Sequence, residues 1–452
     1  MMDLREAARA VNGTLHGEAR RFGGVTTDSR NVSDGDLFVA LKGERFDGHE
    51  YLGEARRRGA VGAITSRLVN LEPPMAQVVA DDTRLALGRL AAHWRARFAL
   101  PLAALTGSNG KTTVKEMLTA ILAAHFGERS PVLATEGNLN NDIGMPLTLL
   151  RLREHHHVAV IEMGMNHEGE IDYLTRIAQP TVAIVNNAQR AHVGLLGSVE
   201  AIARAKGEIY AGLRASGTAV VNEDDAFAGY WKQLNRERRI VTFGFASSAL
   251  VRGHLEGARL RVQLPAGAFA VALQVSGEHN ARNALAACAA AFALDVPGAS
   301  MREGLAAFRG VPGRLQRRDG RGGGTVIDDS YNANPESMKA ALRVLAQEPG
   351  RRVFVMGDMG ELGAESDALH AEVGTFARET GIHALLGIGA GTRHAVAAFG
   401  AHGAAFDDIE ALIAAAREAS GAGVTVLVKG SRFMQMERVA DALAAEGERH
   451  AA

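Results

Sequence analysis

The chain has 452 residues, which is enough for two to four domains with sizeable cores. Its 50 Lys and Arg residues balance 51 Asp and Glu residues to a net charge of −1, so the charge favours neither nucleic acid nor an anionic membrane as a partner. A single cysteine excludes an intrachain disulfide, and no apolar run approaches the ~20 residues of a membrane span. The first residues lack the layout of a signal peptide, so we expect a cytoplasmic protein. We also expect a monomer.

Apolar strands and helical stretches alternate along the chain, which is typical of α/β folds with mostly parallel sheets. We predict three domains, at residues 1–82, 83–312 and 313–452, with a Pro-Gly pair at the second boundary. Predicted strands lie at 37–41, 62–65, 77–80, 102–105, 158–162, 182–187, 352–356, 384–388 and 424–428. Predicted helices lie at 51–58, 83–98, 114–124, 199–213 and 280–293, the last burying Cys288, and strands and hairpins fill 217–275.

The segment after the strand at 102–105 combines glycines, a lysine and hydroxyl side chains. A strand, a glycine-rich turn and a helix in this order bind phosphates, because the turn admits an anion and the helix N-terminus presents unpaired N–H groups. Lys111 would contact the terminal phosphates, and the hydroxyl of Thr112 or Thr113 would reach Mg²⁺. Position 105 is leucine where the general pattern has glycine, and a plain tight turn is the alternative. The segment, called the P-loop below, comprises Thr106, Gly107, Ser108, Asn109, Gly110, Lys111, Thr112 and Thr113.

Two polar residues follow neighbouring predicted strands, at the sheet edge where α/β proteins bind ligands. Glu162 ends the strand at 158–162, and a carboxylate beside a phosphate loop is a natural Mg²⁺ ligand. The alternative is a glutamate that caps a neighbouring helix. His192 follows the next strand, and its position near the P-loop favours a metal role over that of an ordinary surface histidine.

Lys206 interrupts the apolar side of the helix predicted over 199–213. It stands four residues after Ile202 and three before Ile209, both on the apolar stripe. A lysine there either extends its ammonium group to the surface or has a chemical role. Burial lowers the pKa of such an amine, and a neutral amine can take up CO₂ as a carbamate that binds metal. Periodicity alone leaves both alternatives open.

Two further segments carry polar side chains that either bind a ligand or cap a helix. Asn280 and Asn283 lie three residues apart on one helix face, where they either hydrogen-bond a nucleotide base or cap the helix. Residues 328–335 follow a predicted strand, and there Asn334 is predicted as the N-cap of a helix whose first residue is Pro335. Capping does not explain the acidic pair and the tyrosine that precede it.

Taken together, these segments resemble the Mur ligase family, the ATP-dependent amide ligases that build the peptidoglycan stem peptide. The resemblance covers essentially the whole chain, in the family's order of three domains. Segments 329–339, 355–363 and 428–434 resemble the member that adds D-alanyl-D-alanine. The Asp-x-x-Arg/Asn-Pro motif of the member that adds diaminopimelate or lysine is not found in the corresponding place. Broadly shared segments are 106–113, 162–165, His192, 205–210, 278–283 and 313–316.

The resemblance implies an α/β fold with a small N-terminal domain, a central P-loop sheet and a Rossmann-like C-terminal domain. It also implies that ATP drives the joining of D-alanyl-D-alanine to UDP-N-acetylmuramoyl-tripeptide through an acyl phosphate. Besides the P-loop, the implied ATP-binding residues are Asn280, Asn283, Arg314, Asp329 and Tyr331. The implied ligands of two magnesium ions are Thr112, Glu162, His192 and a carbamate on Lys206, and the implied catalytic residues are Lys111, His192 and Lys206.

Substrate contacts are likewise carried over from the resemblance. The nucleotide-sugar pocket would use Ser29, Arg30, Phe46, Asp47 and His49. The remaining implied substrate contacts are Asn138, Asn332, Asn334 and Ser431, of which the last three would lie near D-alanyl-D-alanine.

Three other interpretations stay open. A sibling Mur ligase would add a single amino acid, and a folylpolyglutamate synthetase-like ligase would share the P-loop and the third domain but not the first ~80 residues. A nucleotide-driven switch would use the P-loop to control a macromolecular partner, yet the chain offers no long apolar or charged segment for one.

Overall fold

The computed structural model describes residues 1–257 and 259–445, which build three β-sheets joined by helices. The first sheet has the order β1-β5-β4-β3-β2, parallel except for β1. Its strands are β1 Thr14–His16, β2 Val25–Thr26, β3 Leu37–Val39, β4 Gly62–Thr65 and β5 Ala76–Val79. The accompanying helices are α1 Leu4–Val11 and α2 Leu52–Arg57.

The central sheet has nine strands in the order β14-β13-β12-β11-β10-β9-β6-β8-β7. Strand β6 lies between β8 and β9, so the P-loop leaves the middle of the sheet, and only the β12–β14 hairpins are antiparallel. The strands are β6 Leu102–Thr106, β7 Val132–Ala134, β8 Val158–Glu162, β9 Val182–Val185, β10 Thr218–Asn222, β11 Arg239–Gly244, β12 Val251–Glu256, β13 Arg259–Leu264 and β14 Gly267–Ala272. The helices are α3 Thr83–Arg95, α4 Lys111–Phe126, α5 Gly144–Leu150, α6 Glu170–Ala178, α7 Val193–Leu196, α8 Val199–Gly207, α9 Ala228–Leu234, α10 Glu278–Ala293 and α11 Gly298–Ala307.

The third sheet has the order β15-β16-β20-β17-β18-β19, and β15 alone runs antiparallel in it. Apolar clusters cover both of its faces. Its strands are β15 Gln316–Asp319, β16 Thr325–Asp329, β17 Arg351–Gly357, β18 Ala384–Ile388, β19 Gly403–Phe406 and β20 Val424–Lys429. Its helices are α12 Pro335–Ala346, α13 Ser366–Glu379, α14 Thr392–Phe399, α15 Ile409–Glu418 and α16 Glu437–Leu443.

The predicted α/β class with three sheets is confirmed. Helix α3 packs against α1 on one side and against α5 and α6 on the other, so the first and central sheets share one hydrophobic cluster. Cys288 is fully buried in α10, as predicted.

We propose the domain limits 1–82, 83–312 and 313–452, of which residues 446–452 lie outside the described part of the chain. In that described part, every helix falls short of the length and apolarity needed to cross a bilayer.

Two predicted elements need correction. The region 217–275 was expected to hold strands and hairpins only, but it contains helix α9, in which Trp231 is buried and donates its indole N–H to Ala203 O (3.0 Å). The helix predicted over 199–213 ends as an α-helix at Gly207 and continues as a 3-10 turn over Glu208–Gly212. The buried strands and the capping of α12 by Asn334, with Pro335 as its first residue, agree with the prediction.

We predict that Gly374→Ala destabilises the third domain. A Cβ at this position of α13 would collide with the carbonyl oxygen of Ala395 in α14, and overpacking of this kind costs about 1–3 kcal/mol. Gly229→Ala in α9 is the matched control, because among the described residues nothing beyond its chain neighbours and its own helix backbone lies within 4 Å of its Cβ position. Urea denaturation should show a lower midpoint for Gly374→Ala only, and equal midpoints for both variants would contradict the packing argument.

Candidate active site

The P-loop is held in a shape suited to an anion. Gly110 precedes α4 with a φ of 77°, and a Cβ there would overlap the side chain of Asn283. Lys111 Nζ donates to Gly107 O at 2.8 Å, so its ammonium group folds back over the loop. Among the described residues no side chain caps α4 at Gly110, which leaves the first N–H groups of the helix for a ligand.

Strand ends on the central sheet brace this loop. The Asn187 carbonyl oxygen accepts from Ser108 N at 3.0 Å, and Asn187 Oδ1 accepts from Asn109 N at 2.8 Å. Asn186 Nδ2 donates to Asn109 O (2.9 Å) and to Asn283 Oδ1 (3.0 Å). The predicted base contact Asn283 therefore lies against the loop, and its amide donates to Asn280 Oδ1 at 3.3 Å.

Glu162 is a buried carboxylate at the end of β8, 2% exposed. Its Oε2 accepts from Thr112 Oγ1 at 2.9 Å, and its Oε1 accepts from Asn140 Nδ2 at 2.7 Å. Neither contact is to a helix backbone, so the structure does not support the helix-capping alternative. The arrangement places a carboxylate directly beside the P-loop hydroxyl.

Lys206 points into the protein and is 1% exposed. Burial lowers the pKa of its ammonium group well below the usual value, and the positive charge of Lys111 lowers it further. Burial also lowers the pKa of Lys111, against the opposing influence of Glu162. The charges of buried Lys206 and half-buried Lys111 thus repel each other, which disfavours keeping both protonated.

His192 meets a carboxylate of the third domain. Its Nδ1 lies 2.5 Å from Glu361 Oε2, and this contact lowers the pKa of Glu361. Both residues have positive φ angles, 64° and 61°, which is uncommon outside glycine and frequent at functional sites. Glu361 is not among the site residues predicted from the sequence. Its position in a glycine-rich loop after a buried strand was the available signal.

Arg314 reaches from the third domain to the P-loop. Its Nη2 donates to Thr112 Oγ1 at 2.9 Å, and its guanidinium carbon lies 4.1 Å from the centre of the Tyr331 ring. Its Nε is buried without a hydrogen-bond partner among the described residues, so a donor remains for an anion. Tyr331 thus supports Arg314.

Asp329 hydrogen-bonds to the backbone of the turn that carries Arg314. Its Oδ1 accepts from Leu315 N at 3.1 Å, and its Oδ2 lies 2.5 Å from Lys429 Nζ. Burial raises the pKa of Asp329, and Lys429 opposes that shift. Lys429 was not singled out in the sequence, although it ends a buried strand just as Glu162 does.

The asparagines and serine expected near D-alanyl-D-alanine also make contacts within the protein. Asn334 caps α12 and its Nδ2 donates to Asn109 Oδ1 at 2.7 Å. Asn332 Oδ1 accepts from Ala333 N at 2.9 Å, and Ser431 Oγ accepts from Gly360 N at 2.8 Å.

These residues surround one cleft of about 1270 Å³ between the central and third domains. In the described residues no group of three His, Cys, Asp or Glu side chains forms a ready-made metal site. The lining of this cleft does not include Lys206, Thr106 or Gly107. The predicted residues that line the cleft are Ser108, Asn109, Gly110, Lys111, Thr112, Thr113, Asn138, Glu162, His192, Asn280, Asn283, Arg314, Asp329, Tyr331, Asn332, Asn334 and Ser431.

The nucleotide-sugar candidates of the first domain are not part of this cleft. His49 is 3% exposed, with its Nδ1 2.5 Å from Asp47 Oδ1 and its Nε2 accepting from Ser66 N at 2.9 Å. Phe46 is exposed, and Ser29 and Arg30 lie on a 3-10 turn capped by Asp28.

Three family models match the chain in the order of its sheets. They are the Mur ligase family, catalytic domain, over residues 21–95, the Mur ligase middle domain over 105–291, and the Mur ligase, glutamate ligase domain over 313–432. The UDP-N-acetylmuramoyl-tripeptide–D-alanyl-D-alanine ligase of Escherichia coli K12 is 42% identical over 98% of both chains. The chain belongs to the Mur ligase family.

Solved structures agree with this membership. The Mur ligase MurF from Acinetobacter baumannii has a TM-score of 0.90 at 38% identity, with 97% of both chains covered. The MurF ligase of Thermotoga maritima in complex with ADP has a TM-score of 0.80 at 29% identity, with 93% of this chain and 96% of that chain covered. Escherichia coli FolC shares the fold over 78% of this Mur ligase, with 20% identity and a TM-score of 0.61.

We predict that Tyr331→Leu weakens binding of a non-hydrolysable ATP analogue more than binding of ADP. Loss of the ring would release Arg314 from above Thr112, and a cation–π contact accounts for about threefold to thirtyfold in affinity. Tyr331→Phe keeps the ring and should bind both nucleotides as the parent does. Titration calorimetry measures both affinities, and an equal loss for ADP would place Tyr331 at the base instead.

Proposed function

We propose that this Mur ligase joins D-alanyl-D-alanine to UDP-N-acetylmuramoyl-tripeptide and consumes ATP. The observation that carries the proposal is the match to ligases of that name along nearly the full chain, 42% identical over 98% in Escherichia coli K12 and 33% over 96% in Bacillus subtilis. The cleft supports it, because phosphate-binding, carboxylate and third-domain groups converge at Thr112.

In the proposed reaction the enzyme activates a carboxylate, since a carboxylate and an amine do not condense in water. The P-loop amides and Lys111 hold the phosphates, while Arg314 neutralises the charge that develops on them. The terminal carboxylate of the tripeptide attacks the γ-phosphorus to form an acyl phosphate and ADP. The amine of D-alanyl-D-alanine then attacks the acyl carbon, phosphate leaves, and the nitrogen loses a proton.

The residues at the cleft suit magnesium. Thr112 and Glu162 offer hard oxygen donors beside the expected phosphates, and Mg²⁺ is usually held by one or two carboxylates plus substrate phosphates. This fits the absence of a three-residue cluster of His, Cys, Asp or Glu in the described residues. We propose that Thr112, Glu162, His192 and a modified Lys206 hold two ions. When bound, these ions would supply charge neutralisation between the attacking oxygen and the phosphates.

We further propose that Lys206 carries a carbamate. Its burial favours the neutral amine, whose nitrogen can bond to the carbon of CO₂ with loss of one proton. The product is an anion, so repulsion of the Lys111 ammonium would become attraction. The alternative that its ammonium reaches the solvent is inconsistent with a residue 1% exposed.

The remaining assignments follow from this proposal. We assign the UDP group to the first domain around Ser29, Arg30, Phe46, Asp47 and His49, and the dipeptide to the third-domain edge near Asn332, Asn334 and Ser431. Asn138 lines the cleft and is assigned to the tripeptide. Because both nucleotide substrates are made inside the cell, we assign the enzyme to the cytoplasm.

Two rival ligases are less well supported. FolC shares the fold over 78% of this chain and its similarity is too low to carry function, whereas the Escherichia coli K12 ligase that adds D-alanyl-D-alanine matches 98% of it. The ligase that adds diaminopimelate aligns with a TM-score of 0.52 at 19% identity.

The deciding experiment measures phosphate release from ATP with UDP-N-acetylmuramoyl-tripeptide, with and without D-alanyl-D-alanine. We expect release to need both substrates and to yield the pentapeptide by mass spectrometry. Lys111→Ala should abolish release while the circular dichroism spectrum is unchanged, because the phosphates lose their ammonium partner. Release with diaminopimelate or lysine in place of the dipeptide would assign a sibling reaction.

We predict that Lys206→Ala is nearly inactive and is partly rescued by short carboxylic acids. An acid bound in the vacated space would replace the anionic carbamate, whereas Lys111→Ala should not respond because it lacks a cation. Initial rates with increasing acetate or propionate check this. Parent-like activity of Lys206→Ala without acid would leave Lys206 as a packing residue.

A further inference from the structure

Arg190 joins the central domain to the third domain through two carboxylates. Its Nε lies 2.5 Å from Glu336 Oε1, and its Nη1 and Nη2 bond the two oxygens of Glu372 at 3.0 and 2.8 Å. Arg190 belongs to the loop after β9, while Glu336 and Glu372 belong to α12 and α13. A bidentate guanidinium–carboxylate pair with a second carboxylate constrains both distance and angle between the domains.

The contact is stronger than an ordinary surface ion pair. The side chains of Arg190, Glu336 and Glu372 are 28, 25 and 34% exposed, so water screens them only in part. Lys339 on α12 also pairs with Glu372, which gives a compact group of two cations and two carboxylates. The Arg190 contact lowers the pKa of Glu372 to about 2, so its carboxylate stays charged near neutral pH.

The loop of Arg190 is bonded directly to the P-loop. The neighbouring Gln189 accepts from Ser108 Oγ through its carbonyl oxygen (3.0 Å) and from Asn109 Nδ2 through its Oε1 (2.6 Å). On the other side of the interface, Glu336 stands two residues after Asn334, which donates to Asn109 Oδ1 at 2.7 Å. Gln189, His192 and Glu336 line the cleft, whereas Arg190 does not, so Arg190 adjoins the site without lining it.

We propose that Arg190 is a positioning residue that clamps the third domain onto the P-loop through Glu336 and Glu372. The clamp holds α12 in the place where Arg314 reaches Thr112 and Glu361 reaches His192. This clamp extends the proposed ligase function. Only its kinetic test, the measurement of KM and kcat, depends on that function being correct.

The test compares Arg190→Gln with Arg176→Gln as a matched control. Arg176 is exposed and pairs with Asp172 one turn away within α6, so its loss leaves the domain interface intact. We expect Arg190→Gln to increase the radius of gyration in small-angle X-ray scattering without nucleotide. We also expect a KM for ATP at least about fivefold higher, with kcat at saturating ATP near the parent value, because bound nucleotide restores closure. Arg176→Gln should change neither quantity.

A charge swap shows whether the contact itself is responsible. Arg190→Glu should open the molecule, and adding Glu372→Arg should return the radius of gyration and the KM for ATP toward parent values. Equal scattering and equal KM for Arg190→Gln and Arg176→Gln would overturn the clamp. So would a lower kcat with unchanged scattering, because Arg190 would then act on the chemistry.

Failure of the proposed reaction is distinguishable from failure of the clamp. If the parent enzyme releases no phosphate with the cell-wall substrates, the proposed function fails. Scattering with and without a non-hydrolysable ATP analogue still tests the clamp, since that measurement needs no acceptor.

Discussion

The site depends on the hydroxyl of Thr112, where three parts of the molecule meet. It donates to Glu162 at the end of β8, accepts from Arg314 of the third domain and belongs to the P-loop. A hydroxyl can donate and accept at once, so it joins a carboxylate and a guanidinium that would otherwise compete for the same space. The third domain therefore contacts the phosphate loop through a side chain that also faces the proposed magnesium ligand.

Charge organises the rest of the cleft. Three basic groups lie at the P-loop, on Lys111, Lys206 and Arg314, and the buried carboxylate beside them is Glu162 at the end of β8. Burying like charges is costly unless an anion neutralises them. ATP would supply that anion in the proposed reaction, and a carbamate at Lys206 would relieve the repulsion that remains.

Closure of the third domain is specified by polar contacts more than by apolar packing. His192 and Glu361 meet in strained backbone conformations, Asn334 reaches Asn109, and Arg190 bridges two carboxylates. Polar interfaces of this kind suit domains that separate to exchange substrates, because each side is also soluble when apart. The first domain differs, since it shares a hydrophobic cluster with the central sheet through α3.

The sequence by itself determined the local parts of the protein. The sequence determined the glycines and lysine of the P-loop, the Asn334–Pro335 helix start and the place of Lys206 on an apolar helix side, because all depend on residues within a few turns of one another. Strand ends such as Glu162 could be placed on the binding edge because parallel strands share that edge. These features were readable because periodicity and capping are short-range.

Only the tertiary structure decided which distant groups meet. Tyr331 and Asp329 were both implied as ATP-binding residues. In the structure Tyr331 lies against Arg314, and Asp329 pairs with Lys429. The partner of His192 is Glu361, far along the chain. The His192 pair follows from the relative placement of two domains, and the other two follow from the packing of distant segments within the third domain. No local pattern encodes either, so the sequence identified the chemical groups while the fold determined their contacts.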